Sequence, residues 1–245
     1  MRTLAIIPIK KFGTGKQRLS KVLADGSRRS LAQAMFSDVL GSLRRSIAVD
    51  QIAVVTDDIV VESVATGERT VLLSDTRASG QSAAASIGIA YAVDRGFERV
   101  LLVPGDTPLL DPVELDGLLA RCEHDRLEVG IVADRHGTGT NGLVVAPPDG
   151  FAPSFGPGSF DRHVEQARGG ELTYRVEAAP SLAHDIDTPD DLAALWATIE
   201  QQRRGAQRTR GALAQLERSG ARATVESAGA AERAAAEAGG TPVEA

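Results

Sequence analysis

The segment VPGDTPLL, Val103 to Leu110, ends a strongly apolar stretch and delivers one carboxylate, Asp106, to a tight Pro-Gly turn. A carboxylate in that setting can meet Mg²⁺, which takes one or two acidic side chains and leaves its other positions to water and substrate phosphate. The competing role, capping the helix that follows, is already served by Asp111-Pro112. A second acidic segment is HDIDTPDDL, His184 to Leu192. Its Asp185 and Asp187 stand two residues apart, so both project to one side of an extended chain. Asp187 or Thr188 also suits the cap of a helix opening at Pro189, whose acidic first turn complements the helix dipole. Two same-side carboxylates ahead of a cap exceed what capping needs. Together with Asp106 they suit one or two ions clamping a phosphoryl displacement.

Two further clusters have a chemical and a plain reading. The loop KKFGTGKQRLSK places Lys10, Lys11, Lys16, Arg18 and Lys21, with Arg28 a little later, in an otherwise acidic chain. Gly13 and Gly15 would let backbone N–H groups approach a triphosphate; a solvated basic loop is the alternative. It is not a P-loop, because Lys10 occupies the first glycine position and Gln17 follows Lys16. A dinucleotide fingerprint fails too, with Arg18 at the third glycine. In RHGTGTNGLVV and SFGPGSFDRH, the small groups Thr138, Thr140, Gly156 and Ser159 suit a phosphate or carboxylate, with Ser159 at a helix N-terminus. Ordinary turns use the same residues. His163 reads as a surface histidine, and Cys122 as a core residue of a helix rather than a nucleophile. No G-x-S-x-G elbow is present.

These residues must be positioned by an alternation of strands and helices. Thr3 to Ile9, Gln51 to Thr56, Thr70 to Leu73 and Arg99 to Val103 read as buried strands, with further ones at Glu128 to Ala133, Leu143 to Ala146 and Leu172 to Glu177. Helical spacing runs over Ser27 to Ile47, Gly80 to Arg95, Pro112 to Cys122, Ser159 to Arg168 and from Pro189 past Trp196. That order implies an α/β sandwich on a largely parallel sheet, whose ligands sit beyond the carboxyl ends of the strands. The loops after Ile9, Thr56 and Val103 are thereby nominated as the site. From about residue 203 the composition shifts, and residues 219–245 contain no aromatic, Leu or Ile. We expect one domain over 1–203 and a low-complexity tail over 204–245, disordered or partly helical.

Composition narrows the function. The chain has 245 residues, a net charge of −6 and only 4% aromatic residues, which argues against a nucleic-acid partner. One cysteine excludes an intramolecular disulfide and a Cys-rich zinc site. No apolar run approaches membrane-spanning length, so a cytoplasmic protein without membrane contact is expected.

In order, IPIKKFGTGKQRL, VVTDD, VLLVPGDTPLL and HDIDTPDDL resemble the guanylyltransferases of coenzyme F-420 biosynthesis, which act on phosphoenolpyruvate or 2-phospho-L-lactate. The resemblance covers about residues 1–200. It implies a three-layer, Rossmann-like nucleotide-diphospho-sugar transferase fold with a mixed, mostly parallel sheet. It also implies transfer of GMP from GTP to a three-carbon phosphorylated acid, with release of pyrophosphate. On this resemblance Asp106, Asp185 and Asp187 hold the Mg²⁺, and Thr140, Gly156 and Ser159 bind the acceptor. Lys16 and Arg18 act at the phosphates, and Gly80, Gln81 and Ser82 lie by the base. The opening loop departs from the Ala-Gly-Gly type common in the wider superfamily. Other readings are a molybdenum-cofactor or sugar-phosphate nucleotidyltransferase of the same fold, and a nucleotide-binding regulator without turnover. A homodimer and a transient hand-over to the next pathway enzyme are compatible with the resemblance.

Overall fold

A computed structural model describes residues 1–9, 12, 16–76, 80–202 and 204–239. Seven strands form one sheet: β1 (Thr3–Pro8), β2 (Gln51–Thr56), β3 (Thr70–Ser74), β4 (Arg99–Leu102), β5 (Val129–Ala133), β6 (Thr140–Val145) and β7 (Tyr174–Val176). Their order across the sheet is β3-β2-β1-β4-β6-β5-β7. β1 lies near the middle, parallel to both β2 and β4, and all six of its residues are buried. That burial on both faces explains its unbroken apolar sequence. Side chains alternate across the pleat. Ala5 and Ile7 join the core cluster with Phe36 and Leu40 of α1 (Asp25–Arg45) and Leu118 of α4 (Pro112–His124). Leu4 and Ile6 join the opposite cluster with Ala84 and Ala85 of α3 (Gln81–Asp94) and Ala167 of α5 (Ser159–Gly169).

One strand runs against the rest. β6 pairs antiparallel with both β4 and β5, whereas β5 and β7 are parallel. Its amino end, Thr140 and Asn141, therefore reaches the sheet edge where β1 and β4 end. The apolar core of β6 matches the sequence expectation, but the strand begins three residues earlier, at Thr140 rather than Leu143. Polar residues open it because that end lines a cleft. Sequence periodicity missed α2 (Ile59–Ala65), a single short helix capped by the Asp58 side chain, which accepts from Val60 N–H at 2.9 Å.

Of the two states expected for the tail, its described part takes the helical one. After α6 (Pro189–Gln201), α7 (Gln207–Arg218) and α8 (Ala221–Gly239) are helical. Leu213, Leu216 and Val225 are buried in a third cluster with Leu31 and Met35 of α1 and Trp196 of α6. With so few large apolar residues the tail cannot build a core of its own. Here it borrows one, because its few large apolar residues fall on faces presented to α1 and α6, and its small residues permit close approach. An alanine-sized side chain at Gly229 would come within 3.0 Å of the Asp190 backbone.

Candidate active site

The carboxyl ends of β1 and β4, the amino end of β6, and the turns before α3, α5 and α6 surround an open cleft of about 810 Å³. Asp106, Asp185 and Asp187 all line it, as do Lys16 and Arg18. The caps explain why these carboxylates are free for the cleft. At α4 the cap is Asp111, which accepts from Val113 N–H at 2.7 Å. At α6, Thr188 and Asp191 form a reciprocal capping box, and Asp191 also takes the Asp187 N–H at 3.0 Å. Neither Asp106 nor Asp187 is consumed as a cap.

The ammonium of Lys16 sits between these two acids, bonded to Asp106 Oδ2 and, at 2.8 Å, to Asp187 Oδ1. Burial alone would lower the pKa of this lysine, but the charges of Asp106 and Asp187 override it and the value is raised. Lys16 is therefore a fixed cation. Its backbone lies in the left-handed region, φ 57°, a conformation that a lysine adopts at some cost. The Arg28 guanidinium, buried behind the loop, donates to the Lys16 carbonyl at 3.4 Å rather than facing the cleft. Asp185 is held by the Asn141 amide at 3.0 Å. Burial first, and then the charge of Asp106, push its carboxyl up to about 6.

This group suits a divalent cation on two observations. Asp106 Oδ1 is buried with no hydrogen-bond partner among the described residues. Three carboxylates against one ammonium also leave an excess of two negative charges when all are ionised. Among the described residues, no three acidic, His or Cys side chains stand close enough together to hold a metal ion jointly. An open set with one or two carboxylate ligands is what Mg²⁺ accepts.

Thr140, Gly156 and Ser159 line the same cleft. Asp134, which the sequence did not flag, folds this part of it. Its carboxylate accepts the N–H groups of His136, Thr138 and Gly139 at 2.9–3.1 Å, wrapping the loop around itself. Gly139 is required there, because a Cβ would stand 2.6 Å from Asp134 Oδ2. Gly156 has φ +115°, closed to most side chains, and its carbonyl accepts the Ser159 N–H that opens α5. The Thr140 N–H donates to Ser159 Oγ at 3.0 Å, locking β6 to α5. His163 is not a surface residue. It is fully buried, against the rings of Phe151 and Phe155, and bonded to Thr140.

Gly80 and Gln81 line the cleft at the start of α3, and Ala84 one turn on. Ser82, expected by the base, is not among the residues that line the cleft; its hydroxyl accepts the Phe155 N–H at 2.9 Å, tying α3 to the loop before α5. The loop after β2 also stays outside the cleft; its Asp58 caps α2 and holds the Phe12 N–H at 3.0 Å. Lys10, Lys11, Gly13 and Gly15 lie outside the described residues. Asn141 and Asp134 had no signal beyond their place in a Gly/Thr-rich loop, since their roles follow from the reversed direction of β6.

A model of guanylyl transferases described as CofC-like matches residues 3–205. The chain belongs to the CofC-like guanylyltransferase family. It is 48% identical over 216 residues to a phosphoenolpyruvate guanylyltransferase of Conexibacter woesei, covering 88% of this chain and 97% of that one. It is 31% identical over 192 residues to a 2-phospho-L-lactate guanylyltransferase of Methanothermobacter thermautotrophicus, covering 78% and 83%. Among solved structures, a candidate nucleotide-diphospho-sugar transferase from Desulfovibrio desulfuricans superposes with a TM-score of 0.70 at 19% identity, covering 89% of this chain and 96% of that one. A nucleotidyl transferase from Methanothermobacter thermautotrophicus superposes with a TM-score of 0.59 at 18% identity, covering 82% and 98%. The fold of this CofC-like chain is thus the nucleotide-diphospho-sugar transferase type expected from the sequence. No helix among the described residues is long and apolar enough to cross a membrane.

Proposed function

We propose that this CofC-like protein transfers GMP from GTP to phosphoenolpyruvate, releasing pyrophosphate, as a step of coenzyme F-420 assembly. The observation that carries the reading is that one cleft is lined by both chemistries. The carboxylates of Asp106, Asp185 and Asp187, with Lys16 bridging the first and the last, share it with the small polar residues Thr140 and Ser159. A triphosphate brought by cations fits the carboxylates, and a small anion fits the small polar groups at the start of α5. The 48% identity to a phosphoenolpyruvate enzyme, against 31% to a 2-phospho-L-lactate enzyme, favours phosphoenolpyruvate as acceptor.

The chemistry asks little covalent work of the protein. A phosphate oxygen of the acceptor forms a bond to the α-phosphorus of GTP. The bond from that phosphorus to the oxygen bridging to the β-phosphate breaks, and pyrophosphate leaves with the electron pair. The attacking oxygen is already ionised at neutral pH, so no general base is required. Positioning and charge neutralisation carry the rate. Asp106, Asp185 and Asp187 would hold one or two Mg²⁺ ions, which when bound neutralise phosphate charge and polarise the phosphorus under attack. Lys16 and Arg18 meet the phosphates from the first loop, and Gly80 and Gln81 receive the nucleoside at the opening of α3. Thr140, Gly156 and Ser159 hold the acceptor.

The test is a pyrophosphate-release screen of GTP, CTP, ATP and UTP, each with phosphoenolpyruvate, 2-phospho-L-lactate and 3-phosphoglycerate. GTP with phosphoenolpyruvate should be the fastest pair. Turnover only with CTP or with sugar phosphates would make this a different transferase of the same fold. Tight GTP binding with no product from any acceptor would make it a regulator.

A further inference from the structure

His163 is a buried titratable side chain that the proposed reaction does not use. It is fully buried between the rings of Phe151 and Phe155, at centroid distances of 5.7 and 5.4 Å. It lies outside the cleft lining, yet both of its nitrogens are engaged. The Ser154 N–H donates to Nε2 at 2.8 Å. A nitrogen that accepts a backbone N–H carries no proton of its own, so the neutral ring must carry its proton on Nδ1. Nδ1 stands 2.9 Å from Thr140 Oγ1. With Nδ1–H as donor, the Thr140 hydroxyl is the acceptor in that contact, and its own proton is left over. The same logic holds next door, where Ser159 Oγ accepts the Thr140 N–H at 3.0 Å and also keeps its proton. Both residues line the cleft. Each hydroxyl thereby keeps its proton for a ligand, with one lone pair already taken by the protein.

We propose that His163 is a positioning residue that fixes the Thr140 hydroxyl as a hydrogen-bond donor to the acceptor substrate, selecting an anionic oxygen at that point of the cleft. The inference rests on the reading of Thr140 as an acceptor-binding group. Burial, and then the nearby Arg162 charge, lower the His163 pKa to about 4, so the ring keeps the neutral state that this arrangement needs. A protonated ring would put a hydrogen on Nε2 against the Ser154 N–H. A neutral ring with the opposite tautomer would make the same clash and turn Thr140 into a donor toward the protein.

Two measurements test this. The first needs no activity: the imidazole nitrogen shifts of ¹⁵N-labelled wild-type protein at pH 7, with His163 assigned through its contacts to Phe151 and Phe155. The expected state is neutral with the proton on Nδ1; an imidazolium, or a proton on Nε2, overturns the proposal. The second is kinetic, using His163→Phe, which can still pack between the two rings but cannot donate. The expected result is an acceptor KM raised about tenfold, the scale of one hydrogen bond, with the GTP KM and kcat unchanged. Thr140→Val should show a similar rise, and the double variant no further rise, because His163 acts through that hydroxyl. Multiplying effects in the double variant, or a GTP KM rising in step, would show a general packing role and overturn the inference. A normal Thr140→Val loss beside an unaltered His163→Phe overturns this inference alone. An unaltered acceptor KM in Thr140→Val overturns the reading of the acceptor subsite, and this inference with it.

Discussion

Asp106 is the residue on which the chemistry turns. One of its oxygens holds the Lys16 ammonium and the other is buried without a partner among the described residues. Asp106→Asn keeps the shape and removes the charge, so it should lower kcat/KM with GTP by at least about 10²-fold. The melting temperature should move by only a few degrees, since the lost ion pair is offset by relief of the repulsion with Asp185. Thermal melts beside steady-state kinetics check both halves. A second residue-scale prediction concerns stability and pH. His163 has its pKa lowered in the folded chain, from an ordinary 6.5 to about 4, chiefly by burial. Above about 6.5 the ring is neutral in both folded and unfolded chains. As pH falls from there toward about 4, the unfolded ring takes up a proton and the folded one does not, so folding stability must drop. The wild-type protein should lose on the order of 2 kcal/mol more than His163→Phe across that window, read from denaturant midpoints. At this scale the carboxylates were legible because their spacing exceeded what caps require. His163 was not, because a lone histidine in a polar helix start says nothing of the two phenylalanines that close over it.

Elements place these residues, and their direction matters more than their existence. Strand propensity marks the apolar half of β6 but cannot show that it runs against β4 and β5. That reversal brings Thr140 and Asn141 to the edge where β4 hands over Asp106. The helix α7 gives another case. Its own N-cap, Ala206, offers no side-chain acceptor, and Asp38 of α1 takes the N–H groups of Arg208 and Thr209 at 3.1 and 2.8 Å. Asp38→Ala should therefore destabilise the protein by about 1 kcal/mol, the usual cost of a lost cap, without altering kcat. Urea unfolding followed beside turnover measures this. No local pattern in residues 204–218 could have shown that cap, because its acceptor is about 170 residues away in the chain.

The whole molecule joins a sheet sandwich to a helical layer at its carboxyl end. The sandwich was readable from alternating strands and helices, whereas the layer was hidden by an Ala/Gly-rich composition. Trp196 is the sole tryptophan, buried in the cluster shared with Leu213, Leu216 and Val225. Ending the chain after residue 204 should shift its fluorescence to the red and lower stability by roughly 5 kcal/mol, the scale of uncovering a few large apolar side chains. An unchanged spectrum and midpoint would mean that the tail does not pack there. The claim that joins all three scales is guanylyl transfer in the cleft. The direct measurement incubates the full chain with GTP, Mg²⁺ and phosphoenolpyruvate, and quantifies pyrophosphate together with the GMP adduct by mass spectrometry. Equal amounts of both are expected from the wild-type protein, and at least about a 10²-fold loss of both in Asp106→Asn. Full turnover in that variant, or GTP bound with no adduct on any of the three phosphorylated acids, would contradict it.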